Sequence, residues 1–335
     1  MSDPKRKPEP GRGERVLPGV WRLRLPLPWP GVPHGNAWAI RSGDGIVLVD
    51  TGIHSSRSMT DLELALRMVG LEVDDVRLVV CTHAHSDHYG QAASIIELTG
   101  AELWMHPAIG HMTVPATDPE AAFDRRAEQA ISAGVPADVV ERSREARRGT
   151  GFGVSGLVKP HRALAEGMTV DSDLGPLEVI ETPGHAPSHI SLWEPQRRIL
   201  ISGDHVLGKV SVYFDRGDTA DPVGDFLSSL DRVGALGARL CLSGHGRTFT
   251  SVDAHIDANR ALVSERLRRT EEALGDEPRT PFEILPDLYD DPVIPQVMEW
   301  WMSETLCYLD HLKLRGRAEL VEGQPQRWRC SRPLG

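Results

Sequence analysis

Residues 78–90 read Leu-Val-Val-Cys-Thr-His-Ala-His-Ser-Asp-His-Tyr-Gly and decide how the rest of the sequence is interpreted. The apolar start of this stretch predicts a buried strand, and potential metal ligands follow it at once. His83 and His85 are two residues apart at the end of an extended strand, so their side chains point the same way and can chelate one ion. Asp87 and His88 follow in the turn into the next helix and can hold a second ion. Imidazole nitrogens and carboxylate oxygens are usual ligands of Zn²⁺.

Three further apolar runs end in side chains of the same kind. They lead into Pro-Gly-His at 183–185, Gly-Asp-His at 203–205 and Gly-His-Gly at 244–246. In each case a glycine lets the backbone approach closely. The potential ligands they supply are His185, Asp204 and His245. Strands that end at one edge of a sheet bring such side chains together, so four strand ends predict one shared metal site.

The rest of the chain predicts an α/β architecture. Nine short runs rich in Val, Ile and Leu predict strands, and several are continuously apolar, as strands buried on both faces are. These runs are Val20–Leu25, Asn36–Ile40, Gly45–Val49, Val76–Thr82, Ala101–His106, Leu177–Thr182, Ile190–Trp193, Arg198–Ser202 and Arg239–Ser243. Helical patterns lie between them, at Ser58–Gly70, Gly90–Gly100 and Val223–Gly237. Interleaved strands and helices form layered α/β folds.

Composition changes along the chain predict a flexible leader over residues 1–15, a catalytic domain over 16–250 and a C-terminal helical domain over 251–335. Residues 107–162 are rich in charge and proline, and they predict a helical insertion within the catalytic domain. Its helical patterns are Pro119–Gly134 and Ala137–Gly149.

The sequence of the C-terminal domain predicts two helices and a hairpin. Ser251–Leu274 is a charged amphipathic pattern, and a Pro-rich connection leads from it to the aromatic pattern Ile294–Arg315. Ala318–Val321 and Arg327–Ser331 then flank a Gly-containing turn, which is typical of a hairpin. Two helices and a hairpin are similar to a winged helix.

Composition excludes several classes of protein. The chain has 335 residues, of which 40% are hydrophobic and 25% charged, as in ordinary globular proteins. No apolar run approaches the roughly 20 residues of a membrane span, and the charged start lacks the apolar core of a secretory signal. We therefore expect a cytoplasmic protein without a membrane partner. A net charge of −11 argues against nucleic acid as the main partner.

With these motifs in hand, the sequence resembles the metallo-β-lactamase superfamily. Five motifs match in the family order: L-V-D-T-G at 48–52, T-H-A-H-S-D-H at 82–88, T-P-G-H at 182–185, S-G-D-H at 202–205 and S-G-H-G at 243–246. The resemblance covers about residues 16–250 and implies a four-layer αββα sandwich. The tail resembles the winged-helix-like extension of the lactamase-β-like branch, to which the thioesterase glyoxalase II is also similar.

The resemblance also implies a role for each ligand. It puts His83, His85 and His185 on a first metal ion, Asp87, His88 and His245 on a second, and Asp204 between the two. With histidine at position 85, the site resembles that of the dinuclear zinc branch, because the diiron branch carries glutamate there. Two Zn²⁺ ions per chain are therefore expected, with iron or manganese as the alternatives.

The implied reaction is hydrolysis of a thioester, ester or lactone by a hydroxide that bridges two zinc ions. Asp87 is the expected catalytic residue, since it can orient the hydroxide and pass a proton to the leaving group. Asp50 is expected to hold a ligand histidine by its other nitrogen. His205 is expected to line the site without binding metal, and His34 is the strongest candidate among the remaining histidines for a substrate contact.

The other histidines and two tyrosines have a simpler interpretation. Five other histidines do not follow the pattern of an apolar strand, a glycine and a ligand side chain, so they are expected at the surface or in packing. They are His54, His106, His111, His161 and His255. Tyr89 and Tyr213 are expected in the wall of the cleft or in a half-buried wall elsewhere.

The substrate remains open at this point. Glyoxalase II uses a basic cluster after the bridging aspartate, and this chain has no such cluster after Asp204. Quorum-sensing lactonases place a tyrosine three residues after the aspartate, where this chain has Leu207. Two other activities stay open: a mononuclear iron persulfide dioxygenase and a zinc-dependent ribonuclease. The insertion and the tail are expected to frame a pocket for an acyl group or small ester, and the tail either covers the cleft or forms a homodimer interface.

Overall fold

Two β-sheets lie at the centre of this computed structural model, which describes residues 9–29, 31–209, 211–290 and 295–331. The first sheet has seven strands in sequence order: β1 (Arg12–Leu17), β2 (Val20–Trp29), β3 (Val32–Ser42), β4 (Gly45–Val49), β5 (Val76–Val80), β6 (Glu102–Met105) and β7 (Arg162–Ala163). The second has the order β12-β11-β10-β9-β8, with β8 (Thr169–Val170), β9 (Leu177–Glu181), β10 (Ile190–Glu194), β11 (Ile199–Gly203) and β12 (Leu240–Ser243).

Helices cover the outer faces of both sheets. They are α1 (Ser58–Arg67), α2 (Ser86–Tyr89), α3 (Ala92–Thr99), α4 (Gly110–Thr117), α5 (Pro119–Ser132), α6 (Ala137–Arg147), α7 (Pro222–Leu236), α8 (Val252–Ala273), α9 (Pro281–Leu288) and α10 (Pro295–Leu314). A separate hairpin, β13 (Ala318–Val321) with β14 (Arg327–Cys330), closes the described chain. Within these ranges, none of the helices has the length and apolar character that crossing a bilayer requires.

The strands are buried on both faces, which explains their nearly continuous hydrophobicity. In β3, Trp38 and Ile40 face the core between the sheets, and Ala39 faces the core beneath α1 and α3. In β11, Ile201 faces the inner core and Leu200 faces the outer core beneath α7. Alternate side chains thus fill three successive cores. The resulting layers are helix, sheet, sheet and helix, so the predicted αββα sandwich is confirmed.

Helix α7 shows how the outer layer forms locally. Its N-cap Asp221 accepts a hydrogen bond from the Gly224 amide, and a proline occupies the first turn. Phe226, Leu230 and Val233 recur at helical spacing and pack on the second sheet.

Part of the predicted leader belongs to the first sheet. Arg12–Leu17 forms β1, which pairs antiparallel with β2, so residues 12–15 belong to the sheet rather than to a flexible leader. Residues 1–8 lie outside the described ranges. The strand was missed because it carries charged side chains, as edge strands do. One of them, Glu14, pairs with Arg22 of β2 at 2.6 Å.

Helices α4, α5 and α6 fill the segment that the sequence analysis identified as an insertion, between β6 and β7. In the C-terminal region, the Pro-rich connection holds an additional helix, α9. Thr280 and Glu283 form a capping box there, with a proline at the first turn, and these signals were overlooked in the sequence. The predicted hairpin is present as β13 and β14. The start of the last predicted helix, at residue 294, lies outside the described residues.

One acidic side chain is buried in this C-terminal region. Glu304 of α10 is 6% exposed and accepts a hydrogen bond from the Tyr289 hydroxyl at 3.1 Å. Burial raises the pKa of Glu304 to about 8. The side chain is therefore largely protonated at neutral pH.

Candidate metal centre

The predicted ligands come together where strands of both sheets end. Strand β5 leads into residues 82–88, and β9, β11 and β12 lead into the other three motifs. Strands β4 and β5 are parallel, as are β11 and β12, so their carboxyl ends lie at the same edge. The seven side chains form two groups with potential ligand atoms within 4.8 Å of one another: His83, His85 and His185 in the first group, and Asp87, His88, Asp204 and His245 in the second.

Three imidazole nitrogens converge in the first group. Nε2 of His83 lies 3.0 Å from Nδ1 of His85, which lies 2.9 Å from Nε2 of His185. Three neutral rings that each present a lone pair to the same point cannot form hydrogen bonds with one another there, because none of them offers a proton. One shared cation satisfies all three, and imidazole nitrogen is a preferred ligand of Zn²⁺.

The outer nitrogens of two of these rings donate hydrogen bonds, so in the neutral rings the inner nitrogens can bind a cation. Nδ1 of His185 donates to the Tyr213 carbonyl at 2.9 Å. Nε2 of His85 donates to the Asp215 carboxylate at 2.7 Å. Since a carbonyl and a carboxylate only accept, each ring has its proton on the outer nitrogen.

Asp50 orients two of the histidines. Its Oδ2 lies 2.8 Å from Nδ1 of His88, as the sequence analysis predicted. It also accepts the Thr82 hydroxyl at 3.0 Å, and that hydroxyl oxygen in turn accepts Nδ1 of His83 at 3.0 Å. Asp50 has a φ of 64°, a conformation uncommon for a residue with a side chain. One carboxylate, on a residue with an uncommon backbone conformation, thus orients a histidine in each group.

In the second group, two imidazoles face two carboxylates. Nε2 of His245 lies 3.1 Å from an oxygen of Asp87 and 3.1 Å from one of Asp204. Nε2 of His88 lies 3.4 Å and 3.3 Å from the same two residues. The other nitrogen of His245 donates to the His34 carbonyl at 3.2 Å. His34 therefore acts on the site through its backbone, and its predicted contact with substrate remains a prediction.

The charges of this group call for a cation. Burial raises the pKa of Asp87 and of Asp204, but the facing His88 and His245 outweigh it and hold both carboxyls well below their usual range. Burial lowers the pKa of His245, but Asp204 and Asp87 outweigh it and raise the value to about 10. Two ionised carboxylates thus stabilise positive charge at one point, which a divalent ion also supplies.

Two buried atoms support the same conclusion. Nε2 of His88 and Oδ1 of Asp204 are buried and have no hydrogen-bond partner within the described ranges. Asp204 also faces the first group, with its Oδ2 at 3.8 Å from Nε2 of His185. An unpaired buried polar atom is costly unless something satisfies it. The seven residues therefore fit divalent cations.

Inward-facing polar residues hold the 243–246 loop in place, and the sequence analysis missed them. Asn36 of β3 donates to the Ser243 carbonyl at 2.8 Å, and Arg22 of β2 donates to the Gly246 carbonyl at 2.7 Å. A Cβ at Gly244 would lie 2.1 Å from Oδ1 of Asp204, so that position requires glycine. The available signal was a buried polar residue at an inward position of an otherwise apolar strand.

His111 and Asp215 also belong to the site, which corrects the expectation for His111. The Asp215 carboxylate lies 3.1 Å from Nδ1 of His111 as well as accepting His85. Nε2 of His111 lies 2.9 Å from the Ser188 hydroxyl. His111 thus links α4 of the insertion to the first group. Neither residue stands in the pattern of a strand that leads directly into a glycine and a ligand, so no local signal in the sequence identified them.

His189 was missed as well, whereas His205 belongs to neither ligand group. The expectation that His205 lines the site without binding metal remains a prediction. The Asp204 amide donates to Nε2 of His189 at 3.0 Å, and the other nitrogen of that ring contacts the Thr182 hydroxyl at 2.8 Å. His189 therefore positions the backbone of Asp204. The His205 ring packs on Phe226 at 4.9 Å, and burial lowers its pKa to about 3.

The two tyrosines divide between the two expected roles. The Tyr213 ring lies 5.8 Å from that of His85 and 5.7 Å from that of His185, so it lines the site. Tyr89 is buried and donates to the Val158 carbonyl at 2.8 Å, which anchors the glycine-rich end of the insertion. His161 accepts the Leu103 amide at 2.9 Å and has the expected packing role.

The sequence profile of the metallo-beta-lactamase superfamily matches residues 30–245. The chain belongs to this superfamily. It is 29% identical over 306 residues to a probable metallo-hydrolase of Bacillus subtilis. This alignment covers 88% of this chain and 92% of that protein. A solved β-lactamase domain protein from Burkholderia ambifaria is 28% identical, with a TM-score of 0.83 over 98% of this chain and 96% of its own.

Two more distant relatives carry names that state a substrate. A human protein named acyl-coenzyme A thioesterase is 26% identical over 64% of this chain and 74% of its own length. A hydroxyacylglutathione hydrolase of Haemophilus influenzae is 24% identical over 65% of this chain and 87% of its own. Membership of the superfamily, together with the His/Asp groups, identifies the protein as a metal-dependent hydrolase.

Proposed function

We propose that the protein is a dinuclear zinc hydrolase that cleaves a thioester, with esters and lactones as related substrates. The observation that carries this proposal is Asp204, which faces both a three-imidazole group and a mixed group of imidazoles and carboxylates. That arrangement suits two ions side by side. When bound, such a pair supplies a water of lowered pKa and polarises the substrate carbonyl.

The chain's own residues complete the reaction. In thioester hydrolysis a C–O bond forms and the C–S bond breaks, so one water proton ends on the thiol sulfur and the other is released to solvent as the product acid ionises to a carboxylate. Asp87 lies 3.1 Å from Nε2 of His245 at the centre of the site and is ionised. We expect its carboxylate to accept a proton from the water and deliver it to the leaving sulfur. Tyr213 lines the approach to the first group.

Zinc and a thioester substrate are favoured by separate observations. The first group offers three imidazoles and no glutamate at position 85, which suits zinc. The thioester is favoured because a relative named acyl-coenzyme A thioesterase aligns with 64% of this chain. The division into domains, a homodimer and a cytoplasmic location remain predictions from the sequence.

The deciding experiment is elemental analysis of protein purified without added metal or an affinity tag, followed by assays with acyl thioesters, esters and lactones. Two zinc ions per chain and thioester hydrolysis are the expected results. One iron per chain, with oxygen consumption on a persulfide, would replace the proposal with the dioxygenase alternative. Hydrolysis of RNA but of none of the acyl substrates would overturn it in favour of a ribonuclease.

A further inference from the structure

A cavity of about 520 Å³ lies between the helical insertion and α10. Its walls include apolar side chains of α5, α6, the connection between them and α10, and most of these are buried: Phe123, Val135, Val140, Met298, Met302 and Leu306. A volume of this size is typical of sites for organic ligands, which bury most of their surface against apolar walls.

The cavity adjoins the candidate metal centre. Tyr213, His111 and Asp215 also line it. The Tyr213 ring contacts the His85 ring, and the Asp215 carboxylate accepts that ring's outer nitrogen at 2.7 Å. A substrate whose carbonyl lies at the first ligand group therefore has this cavity within reach of its acyl side.

Two of the five arginines that line the cavity pair with an acid of the same wall, near its exposed part. Arg126 of α5 donates to Glu299 of α10 at 2.9 Å, and Arg147 of α6 pairs with the same carboxylate. These pairs connect α5 and α6 to α10 and neutralise the Glu299 charge. The buried wall beyond them offers methyl, methylene, thioether and phenyl groups, and methionines such as Met298 and Met302 adapt to ligands of different shape.

We propose that this cavity binds the acyl chain of the substrate, and that the chain is a flexible aliphatic one of several carbons rather than an acetyl group. This inference rests on the proposed function, since it assigns the acyl side of a hydrolysed thioester to the cavity. An acetyl group would leave most of the 520 Å³ unfilled, whereas each further methylene buried there is favourable.

The test is a series of acyl thioesters of N-acetylcysteamine from acetyl to dodecanoyl, assayed with the zinc-loaded full chain. We expect kcat/KM to rise about fourfold per methylene until the cavity is filled, as burial of one methylene predicts. The ratio of octanoyl to acetyl kcat/KM should exceed about 100. A chain-length profile that is flat or falls would overturn the proposal.

Two variants place the effect in the cavity. Ala127→Phe adds a ring to a half-buried lining position of α5, and it should lower the octanoyl-to-acetyl ratio at least tenfold. Val114→Trp does the same at a lining position that is 63% exposed, where folding is not endangered. Ala146→Phe, at an exposed position of α6 that does not line the cavity, is the matched control and should keep the wild-type ratio.

A binding measurement separates this inference from the proposed function. Calorimetry of free decanoate with the full chain should show binding that weakens in Ala127→Phe and not in Ala146→Phe. If every thioester is inert but this pattern holds, the proposed reaction fails and the acyl-chain site stands. If thioesters are hydrolysed but decanoate binds equally to all three proteins, the site is wrong and the reaction stands.

Discussion

Two regions of the protein bury carboxyl groups, and they hold them in opposite states. In the metal centre, Asp87 and Asp204 face His88 and His245, which outweigh burial and lower the carboxyl pKa values. In the C-terminal region, Glu304 is buried beside the Tyr289 hydroxyl, and burial raises its pKa to about 8. The first two carboxyls are ionised at neutral pH, and the third is largely protonated.

The difference shows that burial alone does not identify a functional acid; the groups around it do. Positively charged partners stabilise the carboxylates of the metal centre, and a bound cation would take over that role by displacing the imidazole protons. A phenol donates one hydrogen bond to Glu304, which is adequate for a neutral acid. We expect substitutions to separate the two regions, the first affecting metal and turnover and the second affecting stability alone.

The largest effect is expected for Asp204→Ala. Because this carboxylate faces both ligand groups, its loss should leave fewer than one metal ion per chain and no detectable hydrolysis. Metal content by elemental analysis and turnover of an acyl thioester test this, with circular dichroism to verify the fold. Asp231→Ala, at an exposed acid of α7, is the control. Two metal ions per chain in Asp204→Ala would contradict the assignment.

Asp87→Asn should be the next in severity. The amide keeps the shape of the side chain but cannot accept the proton of the attacking water, so kcat should fall about 10²–10⁴-fold. The second ion should bind more weakly, and the first should remain because His83, His85 and His185 are unchanged. Wild-type kcat with one or two metal ions bound would show that Asp87 is not the catalytic acid–base.

A smaller effect is expected for Asp215→Ala. Loss of the carboxylate that holds Nε2 of His85 should weaken binding of the first ion about 10–100-fold, as for other partners of ligand histidines. Competition with a chromogenic chelator measures this affinity without relying on activity. Asp218→Ala, three residues further along at an exposed position, is the control. Equal affinity in both variants would mean that Asp215 does not position the ligand.

The smallest effect on turnover is expected for Glu304→Gln, which should leave kcat unchanged. The folded pKa of about 8 exceeds the unfolded value of about 4.3, so the folded protein binds more protons between these values. The contribution of Glu304 to the free energy of unfolding should therefore be greatest below about pH 4.3. It should fall by up to about 1.4 kcal/mol per pH unit as the pH rises toward 8. Urea unfolding at several pH values should show a shallower decline in Glu304→Gln. Identical slopes would contradict the assigned pKa.

The sequence predicted the architecture and all seven residues that the structure brings together, because each of four motifs combines an apolar strand, a turn and a ligand side chain. Their binding of metal remains a prediction. Asp215, His111 and His189 were not predicted, since their contacts join segments far apart in sequence and leave no local period. His85 and Asp215, for example, are 130 positions apart. Strand β1 was missed because its pairing with β2 depends on backbone hydrogen bonds that charged side chains do not reveal.

The ligand groups join distant parts of the chain, and this has a consequence for the lifetime of the protein in a cell. His85 and His185 are 100 positions apart and follow strands of different sheets, so an ion held between them acts as a cross-link between the two halves of the sandwich. An ion that binds the folded chain and not the unfolded one shifts the population toward the folded form. Under metal starvation more chains would unfold and reach proteases, so the abundance of the protein would follow the supply of its metal.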